Sequence, residues 1–324
     1  MNHVRTAALG ALIVGAVACA SGSAMAQSYP ARPVKVVVPF AAGGPLDLVG
    51  RAVFEKLAAS LRQPFVLENR TGAGGNIGTD AVAKAAPDGY TLLFVLSGTL
   101  TANPAMYRKL PFNVEKDFRP ISLLAASTQM LVVHPSLPVN TLAEFVAYAK
   151  KQPIAYAHAG PGSGGHLAME YFRTMAGFET VQVPYRGNAP LVIDLVAGQV
   201  KAGFVSTAGV IQHVRDRKLT GLAISAAARS ALAPNVPTTA EAGYPDFKLG
   251  TYFVLLAPAG VPDAVADLLE RETRAVLASP ELKEKFRPQD IEIVGSDAAA
   301  ARAFLREDTA LWAKIAKQAN LRVD

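Results

Sequence analysis

The sequence predicts an α/β fold of two lobes with a cleft between them. Short runs rich in Val, Ile and Leu alternate with segments of helical periodicity along most of the 324 residues, and this alternation favours mainly parallel sheets flanked by helices. About half of the residues are hydrophobic (51%), and a chain of this length exceeds the size at which one hydrophobic core usually divides. Two apolar segments are, in addition, typical of crossings between lobes.

Eight runs are strand candidates, and each is a short apolar stretch of the kind that forms a buried strand. They are 34–39, 65–69, 91–96, 154–157, 180–184, 202–206, 220–225 and 251–257. Between them lie helical segments such as 46–61, in which leucines and valines recur near one face. Thr141 and Glu144 form the pattern of a capping box at the start of another predicted helix.

The chain is expected to pass between the lobes twice. The segment 130–139, MLVVHPSLPV, is apolar and interrupted by prolines, and the strand that begins near Gly250 precedes a second proline-containing stretch. The tail 297–319 has helical period, and its Trp312 is predicted to anchor in a core. The predicted limits are lobe 1 over 27–128, lobe 2 over 129–249, and a return to lobe 1 over 250–324.

The first 26 residues are typical of a secretory signal peptide. An apolar stretch over 7–18 precedes the small-x-small cleavage signal AMA at 24–26. About a dozen apolar residues are too few to span a bilayer, where roughly 20 are needed, so a membrane anchor is the weaker interpretation. Lipidation at Cys19 is a further alternative. We predict a periplasmic protein cleaved after Ala26.

Composition excludes several classes of protein. Cleavage after residue 26 removes Cys19, the only cysteine, which excludes a disulfide framework, a thiol nucleophile and a cysteine-ligated metal. It also removes Arg5 and no acid, so the formal net charge of +6 falls by one. Basic residues occur singly among acids, as in RDRK (215–218), without the basic run of a nucleic-acid groove. A mild positive net charge without a basic run favours a small anionic ligand over a nucleic acid.

Three glycine-rich loops each connect a predicted strand to a predicted helix: FAAGGP (40–45), TGAGGNIG (71–78) and AGPGSGG (159–165). Such a turn presents free N–H groups and the positive end of a helix dipole at the carboxyl edge of a sheet. The third loop has the spacing G-x-G-x-x-G, which by itself favours a dinucleotide. However, the strand after it, 180–184, lacks a terminal acid for the ribose, and no loop ends in G-K-[ST]. We therefore expect an anion other than a nucleotide, and no cofactor.

Hydrolase and metal chemistry lack their sequence signatures. Neither Ser97 nor Ser163 lies in G-x-S-x-G, and Ser163, three residues before His166, is typical of a helix cap. The histidines beyond the signal segment form no H-x-x-x-H or H-E-x-x-H pattern. We predict no catalytic residue and no metal site.

Polar side chains that follow strands are candidate ligand contacts. They are Asp47, Ser97, Thr99, Ser163, Tyr185 with Arg186, and Ser206 with Thr207. Asp47 allows two interpretations: an acid favoured by the dipole at a helix N-terminus, or the partner of a cationic group on the ligand. Arg186 could pair with a ligand carboxylate or remain solvated.

Several segments in consistent order resemble one known family. They are YPARPVKVVVPFAAGG, ENRTGAGGNIGTDAVAKAAPDGYTLL, LPFNVEKDFRPI, GPGSGGHLAMEYF, VPYRGNAPLVIDLVAGQV and PNVPTTAEAGYPDF. Together they are similar to the Bug-type periplasmic solute receptors of tripartite tricarboxylate transporters. The resemblance implies a two-lobed, Venus-flytrap (type II-like) binding protein without enzymatic activity, which closes on an organic acid and delivers it to a membrane permease driven by an ion gradient.

The resemblance also implies which residues hold the carboxylate, often through ordered water. They are Phe40, Ala41, Gly43 and Gly44 from one lobe, and Gly162, Ser163, His166, Tyr185, Gly187 and Ala189 from the other. Pro45 and Leu46 depart from the family pattern, as do Ser206-Thr207, where many relatives have Asp or Asn, and Tyr252, where relatives often have Trp. Since no acid stands near Ser206 to face an ammonium group, a plain carboxylate is favoured over an amino acid.

The alternative function is an exported α/β enzyme that acts on a similar acid. The missing nucleophile elbow, metal spacing and thiol favour the receptor instead. A monomer is expected, because a cleft that closes tolerates little symmetric burial.

Overall fold

The structure is a computed structural model that describes residues 29–247, 249–319 and 321–322. The predicted signal peptide, its cleavage after Ala26 and Cys19 lie outside these residues. Residues from Arg32 onward form one compact unit, which holds both sheets and the candidate site. No helix in the described part of the chain is both long and apolar enough to cross a bilayer.

The strands form two mixed sheets, one in each lobe. Numbered along the chain they are β1 Val34–Val38, β2 Phe65–Asn69, β3 Thr91–Leu96, β4 Phe118–Ser127, β5 Gln129–Val133, β6 Ile154–His158, β7 Thr180–Pro184, β8 Ala202–Ser206, β9 Thr220–Ile224, β10 Thr251–Pro258 and β11 Ile291–Ile293. The first sheet has the order β11-β4-β10-β3-β1-β2 and the second β7-β6-β8-β5-β9. The expected two-lobed α/β fold is therefore confirmed.

Helices pack around these sheets. They are α1 Pro45–Leu61, α2 Asn76–Ala83, α3 Ser97–Thr101, α4 Asn103–Met106, α5 Val114–Asp117, α6 Leu142–Ala149, α7 Gly164–Ala176, α8 Asn188–Val196, α9 Thr207–Arg215, α10 Asp263–Leu277, α11 Pro280–Phe286 and α12 Ala298–Ala319. The predicted cap at Thr141 is present, since its side chain accepts from Glu144 N at 3.1 Å before α6.

The sheets are mixed, which corrects the expectation that each is mainly parallel. β10 runs antiparallel to both β3 and β4, and β5 runs antiparallel to both β8 and β9. The reason is the connectivity. β1, β3 and β8 end at the edge where the lobes meet, whereas β5 and β10 start there after a crossing and must run away from it. β4, which the sequence analysis left unassigned, carries the chain to this edge, and only Thr128 separates it from β5.

Buried apolar side chains form clusters on the faces of both sheets. One cluster in the first lobe includes Leu93, Val254 and, from the start of α12, Ala301. A cluster in the second lobe includes Phe172, Phe204 and, from the end of the same helix, Trp312. Trp312 is 2% exposed, so the prediction of a core anchor is confirmed, and α12 contributes to the cores of both lobes.

Candidate functional site: a closed cleft between the sheets

A small cavity of about 60 Å³ lies where the strand ends of the two sheets face each other. Its walls come from the loops after β1 and β6, the segment between β4 and β5, and the start of β10. The lining residues are Phe40, Ala41, Gly44, Pro45, Leu46, Leu96, Ser127, Gln129, Ala159, Ser163, Gly164, Gly165, Gly187, Asn188, Ser206, Thr251 and Phe253. The cavity is much smaller than the roughly 300 Å³ at which ligand pockets usually begin, so the cleft is closed in this structure.

The loop GPGSGG presents the N-terminus of α7 to the cavity. Ser163 is the N-cap, and its Oγ accepts from His166 N at 3.4 Å. The N–H groups at the first positions of a helix have no partner within the helix, so those of Gly164 and Gly165 are donors available at the cavity wall. A Cβ on Gly164 would overlap Thr251 Oγ1, which explains why this backbone approach requires glycine.

The loop after β1 is held by Asp47, which is 2% exposed. Its carboxylate accepts from Gly43 N at 3.0 Å, from Arg51 Nε at 2.8 Å and from Asn69 Nδ2 at 3.1 Å. Burial acts to raise the pKa of Asp47, but the hydrogen bonds from Arg51, Gly43 and Asn69 together outweigh it and keep the pKa below its usual value. Asp47 is thus ionised and fully engaged, and it does not line the cavity.

Hydroxyl groups cover the floor of the cavity. Ser127 Oγ lies 2.7 Å from Ser206 Oγ, and Gln129 Nε2 donates to Thr251 Oγ1 at 3.1 Å. Since Thr251 Oγ1 accepts from an amide, its own proton is free to point into the cavity. When Ser127 donates to Ser206, the proton of Ser206 is free in the same way. The floor can therefore supply two hydroxyl donors to a bound anion.

The wall carries no charged side chain among the described residues, and apart from Asn188 its remaining side chains are apolar. Phe40, Leu46, Leu96 and Phe253 cover the side formed by the first lobe. Backbone N–H groups at helix N-termini and hydroxyl groups are together suited to a carboxylate. The apolar side would contact the hydrocarbon part of such a ligand.

His158 and His166 pack against each other behind the glycine loop, with ring centroids 4.6 Å apart. His166 Nδ1 accepts from Gly162 N at 3.2 Å, and burial lowers the pKa of His166 to about 3. Burial also lowers the pKa of His158. Both rings are neutral at pH 7 and support the loop rather than supply charge. No group of His, Cys, Asp and Glu that could hold a metal occurs in the described ranges.

The rim of the cleft is closed by direct contact between the lobes. A Cβ on Gly98 would lie 2.6 Å from Gly162 O and 2.7 Å from Leu167 Cδ1. A Cβ on Gly74 would lie 2.8 Å from Pro161 O. Within the first lobe, Asn103 Nδ2 donates to Gly74 O at 3.1 Å. The turn 160–163 therefore docks into a notch of the first lobe that only glycines leave open.

Of the candidates named from the sequence, six line the cavity: Phe40, Ala41, Gly44, Ser163, Gly187 and Ser206. Gly43 and Gly162 belong to these loops but do not line the cavity, and Asp47 and His166 lie directly behind the loops. Ser97, Thr99, Tyr185 and Ala189 do not line the cavity. Thr99 Oγ1 donates to Gly74 O at 3.0 Å, Tyr185 donates to Asp194 at 2.7 Å, and Ser97 Oγ accepts from Tyr252 N at 3.3 Å.

The lining residues that were not among the candidates include the polar side chains of Ser127, Gln129 and Thr251. All three stand at the positions where the chain crosses between the sheets. The predicted crossings at 129 and 250 were the available signal, because residues at a crossing lie on the floor of the cleft.

A larger cavity of about 1180 Å³ also lies between the lobes, and Ser127 lines both cavities. Its lining includes Glu284, Asp290, Glu292, Glu307 and Asp308. These five carboxylates outnumber the lysine and arginines beside them, which disfavours an anion there. We therefore place the candidate site in the smaller, donor-lined cavity.

Comparison with known proteins agrees with this geometry. The model of the tripartite tricarboxylate transporter family receptor matches residues 49–321. This chain belongs to that family. Protein BugT of Bordetella pertussis is 35% identical over 326 residues, which covers 100% of both chains.

Solved structures of other members have the same fold as this family receptor. A structure titled R. palustris Rpa4515 with adipate has a TM-score of 0.86 and 33% identity, covering 91% of this chain and 100% of its own. MatC from Rhodopseudomonas palustris with bound malate has a TM-score of 0.83 and 31% identity, covering 89% and 99%. The family is one of periplasmic solute-binding proteins, and carboxylates are bound by these two relatives.

Proposed function

We propose that this chain is an extracytoplasmic solute receptor that binds a small organic carboxylate between its lobes and delivers it to an ion-gradient-driven membrane permease. The observation that carries the proposal is the cavity wall, which combines hydroxyl groups and helix N-termini with no acidic side chain among the described residues. The exported, periplasmic location and the cleavage after Ala26 belong to the same proposal. So does the monomeric state.

The ligand is a plain carboxylic acid rather than an amino acid. An ammonium group is favoured by a carboxylate partner, and the buried acid behind the wall, Asp47, is already engaged by Arg51 and Gly43. The two relatives that bind adipate and malate support this class. The six candidates that line the cavity, with Gln129, Ser127 and Thr251, are the proposed contacts, directly or through water.

Binding without turnover is favoured by the state of the side chains that would have to react. Ser163 Oγ acts as a cap for His166 N, and His166 Nδ1 accepts from Gly162 N. His166 therefore offers Ser163 no basic nitrogen at Nδ1. The alternative, an exported enzyme acting on the same acid, would need a base that this arrangement does not supply.

The lobes must open to admit a ligand, since the closed cavity holds about 60 Å³. Hinge closure of two lobes around a ligand is the expected motion. The proposed lobes are 27–128 with 250–324 and 129–249. The sheets support these limits, because strands β5 to β9 form one sheet and the remaining strands form the other.

A thermal-shift screen tests the proposal. The exported protein, purified from the periplasm, is tested with mono-, di- and tricarboxylates, with aromatic acids, and with aspartate and glutamate as controls. A ligand specific to the native state raises Tm by mass action, so at least one plain acid should shift Tm in a concentration-dependent way. A larger shift with aspartate or glutamate would contradict the ligand class, and steady consumption of the bound acid, followed by NMR, would favour the enzyme.

A further inference from the structure

Polar side chains hold both ends of the turn from Phe40 to Gly44. Gly43 has φ +84°, and a Cβ there would meet no heavy atom within 4 Å. Asp47 Oδ2 accepts from Gly43 N at 3.0 Å, and Asn69 Nδ2 donates to Phe40 O at 2.9 Å. Because Asn69 Nδ2 also donates to Asp47 Oδ1 at 3.1 Å, both ends of the turn depend on one carboxylate.

This carboxylate stands in the first turn of α1, whose N-terminus faces the cavity. Pro45 and Leu46 line the wall, and Asp47 is 2% exposed just behind them. A buried negative charge at this place would repel an anionic ligand. Some neighbouring group must therefore offset the charge of Asp47.

Arg51 supplies that offset. Its Nε donates to Asp47 Oδ2 at 2.8 Å and its Nη2 donates to Asp47 Oδ1 at 3.1 Å. This two-point geometry is the strongest form of arginine–carboxylate pairing. The side chain of Arg51 is 56% exposed, so the guanidinium neutralises the acid from outside without entering the cavity.

We propose that Asp47 and Arg51 together form the positioning element of the carboxylate site. Asp47 sets the turn 40–44 in its binding geometry, and Arg51 cancels the charge that this would otherwise bring to the site. The inference rests on the proposed function. It also assigns Asp47 to positioning, not to contact with a cationic group of a ligand.

The first variant is Asp47→Asn, which keeps the shape of the side chain and removes its charge. We expect the Kd for adipate or malate to rise at least about ten-fold, measured by calorimetry well below Tm. Amide hydrogen exchange over 40–44 should accelerate while the rest of the first sheet keeps its protection. The matched control is Asp80→Asn, because Asp80 forms an i,i+4 pair with Lys84 at 2.7 Å outside the cavity wall.

The second variant is Arg51→Met, which leaves the carboxylate in place without its partner. Its loss of affinity should be larger at low ionic strength than at high ionic strength, because salt screens the repulsion. Exchange over 40–44 should remain slow. Lys84→Met is the control, since it changes the net charge of the protein equally at the other i,i+4 pair.

The outcomes separate the two proposals. If wild-type protein binds adipate or malate and Asp47→Asn binds it equally well, positioning is wrong. If Arg51→Met loses no more affinity than Lys84→Met at any salt concentration, the charge-cancelling role is wrong. If the wild type binds neither acid in this assay and no acid in the thermal-shift screen, the proposed function fails instead, and the exchange of 40–44 in Asp47→Asn still decides whether Asp47 holds the turn.

Discussion

Ser127 and Ser206 bring their hydroxyl oxygens to 2.7 Å although they are 79 residues apart in the chain. Ser127 ends β4 of the first sheet and Ser206 ends β8 of the second. The pair therefore links the two sheets at the floor of the cavity, where one of its protons is available to a ligand. A hydroxyl pair can also reverse its donor and acceptor roles, so the floor can accept a hydroxyl group as well as bind a carboxylate.

Replacing Ser206 by alanine should weaken carboxylate binding. A hydrogen bond to a charged group contributes about 1.5–3 kcal/mol, which corresponds to a Kd roughly 10- to 150-fold higher. Calorimetry with the acid selected by thermal shift measures the effect. Ser136→Ala removes a serine far from the cavity and should leave Kd unchanged, whereas equal affinity in Ser206→Ala would place the ligand elsewhere.

Gly98→Ala should impair closure of the cleft. Its Cβ would press on Gly162 O and Leu167 Cδ1 of the other lobe, a contact that exists only when the lobes meet. Overpacking of this kind costs about 1–3 kcal/mol, so we expect Kd to rise roughly 5- to 150-fold with little change in the Tm of the unliganded protein.

The control for this variant is Gly209→Ala in α9, where the nearest atom to a Cβ, apart from chain neighbours and the helix's own backbone, is Val192 Cγ2 at 3.8 Å. Small-angle X-ray scattering with saturating ligand gives a second measurement, since Gly98→Ala should keep a larger radius of gyration. A compact, tightly binding Gly98→Ala protein would show that the rim contact does not limit closure.

Acidification below pH 6.5 should destabilise the fold through His158 and His166. Burial lowers the pKa of both rings, so the unfolded chain binds protons that the folded chain does not. Stability from this source is complete above the unfolded pKa of about 6.5 and is lost as pH falls from there toward the folded pKa. At pH 5 the loss is about 2 kcal/mol for each histidine that stays neutral.

Urea unfolding at pH 6.5 and pH 5 measures this loss. The double variant His158→Gln/His166→Gln should show a smaller difference in free energy of unfolding between the two pH values than the wild type, and His134→Gln should behave like the wild type. An unchanged pH dependence in the double variant would mean that other groups control acid stability.

Trp312→Ala should strongly destabilise the protein. Trp312 is 2% exposed within the core of the second lobe, and truncating a buried aromatic residue costs about 3–5 kcal/mol. Leu311, its neighbour, is 37% exposed, so Leu311→Ala should cost under about 1 kcal/mol. Denaturant unfolding compares the two, and similar costs would contradict the anchoring role.

The strands that the sequence predicted share one property: each is a short apolar run that is visible in the local sequence. All eight match the observed bounds within one residue, and β2 and β3, for example, coincide with them. β4 escaped prediction because Pro120 interrupts its pattern, and the structure places this proline next to a register shift opposite Leu256. β11 has only three residues, too few to show a period.

The sequence predicted the backbone donors of the site but missed several of its polar side chains. Glycine-rich turns before helices mark N–H donors directly in the sequence, so Gly44 and Ser163 were found. The side chains of Ser127, Gln129 and Thr251 depend on the register of strands that cross between sheets, and register is set by pairing with distant strands. A single sequence does not contain that information in local form.

The path of α12 through both lobes has a consequence for how the protein unfolds. Its first turns complete one apolar cluster through Ala301 and Leu305, and its last turns complete the other through Trp312 and Ile315. Ala102 and Met106 add further surface to the second cluster from outside 129–249. An excised fragment 129–249 would therefore expose part of its own interior, and the intact chain should melt in one calorimetric transition whose van't Hoff and calorimetric enthalpies agree.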